Sequence, residues 1–441
     1  MKRTIRVYLG ETPRVLGVLH YNKEGARESA IFEYDPTWLG AADRYAIDPT
    51  LPLLPGPQFH QRTKDGSVFH SAIADTTPDG WGQRVIRRDH AKRRAAAKRA
   101  GESIPPIEGE LTYLLEADDP SRIGALRFAD EEGVFRRAVE DNGRSVPPMI
   151  ELAHLIAASR AVEMHQETAA DLRFLRGRGT SLGGLRPKAT IIDGHGHLSI
   201  GKFPSVSDTR AATKAEVLAL RLAANAGINA AKASLVMSED TPVAVIKRFD
   251  RGSRSARIMY VSAATLLGAD ASAAEERTYA EIVDALRKHG AEAQADIDEL
   301  WRRIAFSILI TNVDDHLHNH GFLHVEAEKW RLSPAFDVNP FPERERELKT
   351  WITEETGPAM TIEALLSAAP YFAVPVTKAR KMLRQVEHAV AQWREIGSQL
   401  GMTEEDLDEY TEAFEHEERK AAQIVIRTTL GQRPGTTRRP R

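Results

Sequence analysis

Cysteine is absent from this 441-residue chain. That one absence excludes disulfides, thiolate zinc sites and cysteine nucleophiles together. Long hydrophobic runs are absent too. No stretch approaches the roughly 20 apolar residues of a membrane span. The opening Met1–Leu9 has no apolar signal core; Ile5, Val7 and Leu9 alternate with polar neighbours, as in a strand. The expectation is a soluble, cytoplasmic protein with no membrane partner. Charge of one sign is not in excess either: 60 Lys and Arg stand against 63 Asp and Glu, for a net −3. The chain as a whole therefore does not advertise nucleic-acid binding, although local patches are permitted. It is too long for one core, and two or three subdomains are expected.

What the chain does have is a dense polar cluster, Asn312-Val313-Asp314-Asp315-His316-Leu317-His318-Asn319-His320-Gly321. It follows the apolar run Ile304–Ile310. A hydrophobic element that ends in such a cluster delivers reactive groups to the edge of a core. Asp314 and Asn319 have the spacing of the Asp and Asn in the protein-kinase catalytic loop, where the Asp receives the substrate hydroxyl and the Asn holds Mg²⁺.

The flanking pattern sets the organisation. Residues 1–60 read as β-rich, and a basic helix runs from Asp79-Gly80-Trp81-Gly82 to Arg99. Its bases are those of a solvated helix face, with an acidic partner or DNA as the sharper alternative. A linker at Glu140–Pro148 marks the first boundary, so residues 1–148 form an N-terminal subdomain. After a helical stretch over 149–176 come a glycine-rich basic loop, Gly177–Lys188, and strands at Ala189–Ile192 and Leu198–Phe203. A helix at Thr213–Ala226 and strands at Ala233–Met237 and Val243–Phe249 follow. From Tyr279 onward the pattern is mostly helical. The fold class expected is α+β and bilobal, protein-kinase or PI-kinase-like. It has a small β-rich lobe to about residue 250, a helical lobe from about 251 to 430, and the extra N-terminal subdomain. Residues 431–441, rich in Arg and Pro, read as a disordered tail.

Phosphoryl transfer needs a phosphate cradle, cations, oxygen ligands for Mg²⁺ and a group that orients the acceptor. Each has a candidate. The cradle is Ser181–Lys188, whose small residues let backbone N–H groups approach phosphate while Arg186 and Lys188 add charge. It is neither a Walker A loop nor the kinase glycine loop, and a surface turn with solvated bases is the plain alternative. Lys202 is the strand cation, and Glu216 on the next helix is its expected ion-pair partner. Asn319 and Asp337 supply an amide and a carboxylate for Mg²⁺; a turn aspartate is the alternative for Asp337. His316, His318 and His320 admit a transition-metal phosphohydrolase, but that reading leaves Lys188, Lys202 and Asp337 unused.

Taken together, these segments resemble the HipA family of bacterial toxin kinases. The segments that carry the likeness are Ser181-Leu182-Gly183-Gly184-Leu185-Arg186-Pro187-Lys188, Gly201-Lys202-Phe203-Pro204, Val245–Arg251, Asn312–Gly321 and Leu332–Asp337. Tyr34–Leu39, Pro78–Gly82 and Arg122–Phe128 resemble that family's N-terminal subdomain. The resemblance implies a Ser/Thr kinase using ATP and Mg²⁺. Gly183, Gly184, Leu185, Arg186, Pro187 and Lys188 would hold the ATP phosphates, with Lys202 nearby. Lys247, Arg248 and Phe249 would form the hinge beside adenine, and His316 would lie near the nucleotide. Asp314 would be the catalytic aspartate, Asn319 and Asp337 the metal ligands, and Ser181 the autophosphorylated serine whose modification ejects the loop. The implied substrate is an aminoacyl-tRNA synthetase, chiefly glutamyl-tRNA synthetase, with growth arrest or persistence as the outcome. The implied partner is a HipB-type helix-turn-helix antitoxin, through which operator DNA is reached. A non-catalytic kinase fold serving as antitoxin partner and co-repressor is the alternative. Asp315 and His318 depart from the family's commonest residues, a small side chain and a Lys.

Overall fold

Alternating burial makes Lys2–Leu9 (β1) a strand with Ile5, Val7 and Leu9 on its covered face. It pairs antiparallel with Arg14–Glu24 (β2), which continues into Arg27–Tyr34 (β3). Gln58–Phe59 (β4) and Leu126–Ala129 (β5) close the edges of a five-stranded sheet in the order β4-β3-β2-β1-β5. A computed structural model supplies this architecture and describes residues 1–60, 62, 66–78, 80–107, 109–130, 133, 135, 146–176, 184–252, 256–269 and 276–428. The tail expected at 431–441 lies outside the described residues.

The basic helix is Gly80–Arg99 (α1). Its Trp81, Val85 and Ile86 are buried, while Arg84, Arg87 and Arg94 are exposed. Arg88 and Lys92 reach the buried carboxylate of Glu167.

Leu152–Glu163 (α2) and Ala169–Leu175 (α3) lead to the second sheet. Its strands are Lys188–Ile192 (β6), Leu198–Lys202 (β7), Ala233–Ser238 (β8) and Thr241–Lys247 (β9), in the order β6-β7-β9-β8. Ala212–Asn225 (α4) crosses between β7 and β8. Strand periodicity splits this sheet by residue parity. Ala189, Ile191, Val243 and Val245 join α2, α3 and Trp81 in one apolar cluster. Ala244, Ile246 and the α4 residues Val217, Leu218 and Leu222 belong to the larger core. That core runs from the N-terminal sheet into the helical half.

Tyr260–Ser262 (β10), Ala263–Leu266 (α5) and Arg277–Thr278 (β11) open that half. Tyr279–His289 (α6) carries a capping box built by Thr278 and Glu281. Ala293–Ile310 (α7) is buried along nearly its whole last three turns, and Thr311 ends it in the left-handed conformation, φ +55°. The mostly helical expectation omits a hairpin here. Gly321–Glu326 (β12) and Lys329–Leu332 (β13) pair beside β10, and Thr350–Trp351 (β14) runs parallel to β11. These strands are two to six residues long, too short to show a period of two above helical noise. Val376–Val390 (α8) and Glu417–Thr428 (α9) pack on α7 from the far side. Among the described residues no helix is long and apolar enough to cross a membrane.

Candidate active site

The antiparallel register of β6 and β7 sets Lys188 directly opposite Lys202. Side chains of such a pair project from the same face. Two ammonium groups side by side repel unless anions lie between or beside them. Lys202 Nζ donates to Glu216 Oε1 at 2.5 Å and to Asp337 Oδ1 at 2.8 Å. Glu216 sits in the first half of α4, whose apolar face fixes its position over the sheet. Asp337 follows β13 in the left-handed conformation, φ +54°, a backbone state that non-glycine residues occupy mainly at constrained sites. Asn339 Nδ2 donates to the same Asp337 oxygen at 3.2 Å.

The electrostatics of this cluster are uneven. Burial alone would lower the Lys202 ammonium, but the charges of Asp337 and Glu216 overcome it and hold the group above the ordinary lysine range. The Lys202 charge, working against burial and aided by Lys188, keeps Asp337 well below the usual carboxylate range. Burial pushes Glu216 up despite Lys202, with Asp337 adding to the rise. Glu216 thus does not shift as a simple salt-bridge partner should. One ammonium is shared by two carboxylates, and the more buried of them bears the desolvation.

The second group of residues is the loop after α7. Asn319 Nδ2 donates to the backbone carbonyl of Asp314 at 2.7 Å, which closes Asp314–Asn319 into a compact turn ending in the short 3-10 segment Leu317–Asn319. With its NH₂ so committed, Asn319 keeps its amide oxygen for another partner. The Asp314 side chain is 37% exposed and is ion-paired with the Lys349 ammonium. Asp315 turns the other way. It is buried, accepts from Tyr279 Oη and from Ser307 Oγ at 3.2 Å, and lies 3.0 Å from His320 Nε2. Burial would raise it, but His320 and these donors hold it below the usual range. Burial lowers the His316 imidazole, and its Nδ1 has no hydrogen-bond partner among the described residues. The histidines do not converge. His316 and His318 meet edge to face at 6.0 Å, while His320 stacks edgewise on Tyr279. Among the described residues no three His, Asp or Glu side chains form a group able to hold a metal ion.

Loop and Asp337 segment are joined. Asn339 N donates to Asn312 Oδ1 at 3.4 Å, Phe341 N donates to Thr311 O at 3.1 Å, and Asn319, Phe336 and Val338 line one small cavity. The structure therefore brings Lys188, Lys202, Glu216 and Asp337 into one cluster and sets the Asp314–Asn319 loop against it.

Other expected residues stand differently. Ser181 and Gly183 lie outside the described residues. At Gly184 the loop touches the N-terminal part, because Trp81 N donates to Gly184 O at 3.0 Å. Leu185 is exposed, Arg186 pairs with Asp208, and Pro187 O accepts from Phe203 N at 3.0 Å. Lys247 falls on the sheet face opposite Lys188 and Lys202 by strand parity. Phe249 packs on Phe336 at 5.5 Å. The Arg248 guanidinium is committed elsewhere. It is bidentate to Asp250, 2.9 Å from Nε to Oδ1, and donates to the carbonyls of Ser121 and Arg122. Asp250 also accepts from Gly124 N at 2.7 Å and from Arg251, whose charge with that of Arg248 overcomes burial and keeps it ionised. The Arg122-Ile123-Gly124 motif is thereby fastened to the chain just after β9. Sequence reasoning missed Lys349, Tyr279 and Asn339. It also missed Asp75, a half-buried acid of the N-terminal part that accepts from Ser262 N and Oγ and from Thr265 Oγ1, with its carboxyl pushed up by desolvation. These contacts leave no local pattern to read.

Two family models match the sequence: the HipA N-terminal domain over residues 5–101 and the HipA-like C-terminal domain over residues 180–393. The chain belongs to the HipA family. Among solved structures this HipA-family chain is similar to HipA of Shewanella oneidensis MR-1, determined in a complex with HipB and operator DNA. Identity is 15%, 97% of each chain is covered and the TM-score is 0.62. It is also similar to the proinflammatory kinase CtkA of Helicobacter pylori, at 14% identity and a TM-score of 0.40, over 57% of this chain and 95% of that one. No curated protein matches. The fold is a mixed α and β architecture like that of HipA.

Proposed function

We propose that this HipA-family chain is an ATP-dependent serine/threonine protein kinase and the toxin half of a toxin–antitoxin pair. The observation that carries the reading is the Lys202 ammonium held between Glu216 and Asp337. That is the arrangement in which a strand lysine, a helix glutamate and a metal-binding aspartate surround a triphosphate. Gly184 to Lys188 would receive the phosphates, with Lys202 beside them.

The donor set suits Mg²⁺: Asp337 is held ionised, and Asn319 has a spare amide oxygen. When bound there, Mg²⁺ would neutralise phosphate oxygens. Asp314 would orient the acceptor hydroxyl and take its proton late in the displacement. Most of the acceleration would come from positioning and fixed charge. The neutral His316 imidazole would line the nucleotide side, and Asp315 with Tyr279 would hold the loop rather than react.

A finer reading deepens this one. An aminoacyl-tRNA synthetase, glutamyl-tRNA synthetase first, is the proposed substrate, and Ser181 the proposed site of self-inactivation. A HipB-type helix-turn-helix antitoxin is the proposed partner, with operator DNA reached through it. The test is incubation with γ-labelled ATP, Mg²⁺ and a cell extract. Label should appear on an extract protein and on Ser181, and be lost in Asp314→Ala and Asp337→Ala variants that melt like the wild type. Undiminished labelling by either folded variant would overturn the assignment.

A further inference from the structure

The loop Asn312–Gly321 carries no lysine or arginine. Lys202 is engaged by Glu216 and Asp337, and Lys188 stands beside it on β6. Those cations serve the nucleotide side. Transfer also builds charge where the acceptor oxygen meets phosphorus, next to Asp314. Lys349, 35 residues after Asp314, places its ammonium there by donating to Asp314 Oδ1.

Lys349 stands directly before β14 and is held by its neighbours. Its neighbours Leu348 and Thr350 are buried, and Leu348 N donates to Pro358 O at 2.9 Å. Thr350 and Trp351 pair with Arg277 and Thr278. Thr278 caps α6, whose Tyr279 holds Asp315, the neighbour of Asp314. Lys349 and the catalytic loop are thus referenced to one scaffold, with the lysine facing outward between two inward residues. Its side chain is 53% exposed. An ion pair this open adds at most about 1 kcal/mol to stability, and its ammonium has three donors, enough for a carboxylate and a phosphate oxygen at once.

We propose that Lys349 is a catalytic residue whose ammonium bridges the Asp314 carboxylate and the transferring γ-phosphoryl group. The inference rests on the kinase reading above. In the step, the bond from the acceptor oxygen to phosphorus forms and the bond from phosphorus to the β-phosphate oxygen breaks. The leaving electron pair stays on ADP, and the acceptor proton passes to Asp314. Lys349 keeps all its protons and supplies charge alone. The bland alternative is a surface ion pair; a second is a plug that occupies Asp314 and slows the enzyme.

Full-length wild type, Lys349→Met, Lys349→Arg and Asp314→Ala are compared in steady-state transfer from ATP to a protein acceptor. Lys349→Met is expected to lower kcat about 100-fold, the scale for removing one transition-state donor, and to leave KM for ATP within about twofold. Lys349→Arg should recover part of the loss. Melting temperatures should stay close, since both side chains are open to solvent. Unchanged kcat overturns the proposal in favour of the surface pair, and raised kcat overturns it in favour of the plug. A dead Asp314→Ala beside a fully active Lys349→Met sinks this inference alone. A wild type without transfer sinks both it and the kinase reading.

Discussion

Lys202 Nζ and Asp337 Oδ1 stand 2.8 Å apart, though 135 residues separate them in the chain. The contact joins the second sheet to the helical half, and Glu216 shares it from α4. Lys202→Met removes the cation and leaves Glu216 buried and unpaired. Breaking a buried pair from one side costs about 3–5 kcal/mol. A lower urea midpoint is therefore expected, together with loss of transfer. Adding Glu216→Gln should restore part of the stability but none of the activity. A double variant no more stable than Lys202→Met would contradict the shared-cation account.

Arg248 separates two roles that a sequence cannot. Its guanidinium is committed to Asp250 and to the carbonyls of Ser121 and Arg122. Arg248→Ala removes one of the two arginine partners of the buried Asp250 carboxylate and the donors to the Ser121 and Arg122 carbonyls. The expected result is a loss of about 3 kcal/mol or more in urea unfolding, with KM for ATP nearly unchanged in the protein that remains folded. A raised KM with an unshifted midpoint would put the side chain at adenine instead.

Gly80 opens α1 and Gly101 follows its end, and their surroundings differ. Both have positive φ, +33° and +78°. A Cβ at Gly80 would sit 2.6 Å from the carbonyl oxygen of Gly184, whereas one at Gly101 would meet nothing within 4 Å. Each substitution to Ala carries a backbone cost of about 1–2 kcal/mol. Only Gly80→Ala should also raise KM for ATP, by displacing the loop at Gly184 that is proposed to receive the phosphates. Equal KM values in ATP titrations of the two variants would show that the α1 contact leaves that loop indifferent.

How much the sequence disclosed depends on the reach of each feature. Helix α4 was legible because its apolar positions and Gly227 are local signals: Thr213–Ala226 was expected and Ala212–Asn225 is found. Strands β6 to β9 were legible as short apolar runs between turns. The meeting of Lys202, Glu216 and Asp337 followed from motif order alone, since each was a single charge with a plain surface alternative. The β12–β13 hairpin was lost because six and four residues carry too little period. Lys349 was invisible for another reason. It is an isolated lysine in a charged stretch, and only the pairing of β14 with β11 brings it to Asp314. Arg248 was placed at the hinge by the family resemblance, while its side chain binds Asp250 and reaches the carbonyl of Arg122, 126 positions upstream.

Trp81 and Val85, from the helix that follows the first sheet, lie in one apolar cluster with Val243 and Val245 of the second. Cleaving the backbone near residue 148, or splitting the gene there, would therefore not liberate a self-sufficient enzyme. The downstream product would carry a greasy scar where Trp81 had been, and Arg248 and Arg251 would be without the carbonyls of Ser121 and Arg122, so its fate would hang on recapturing the piece it lost.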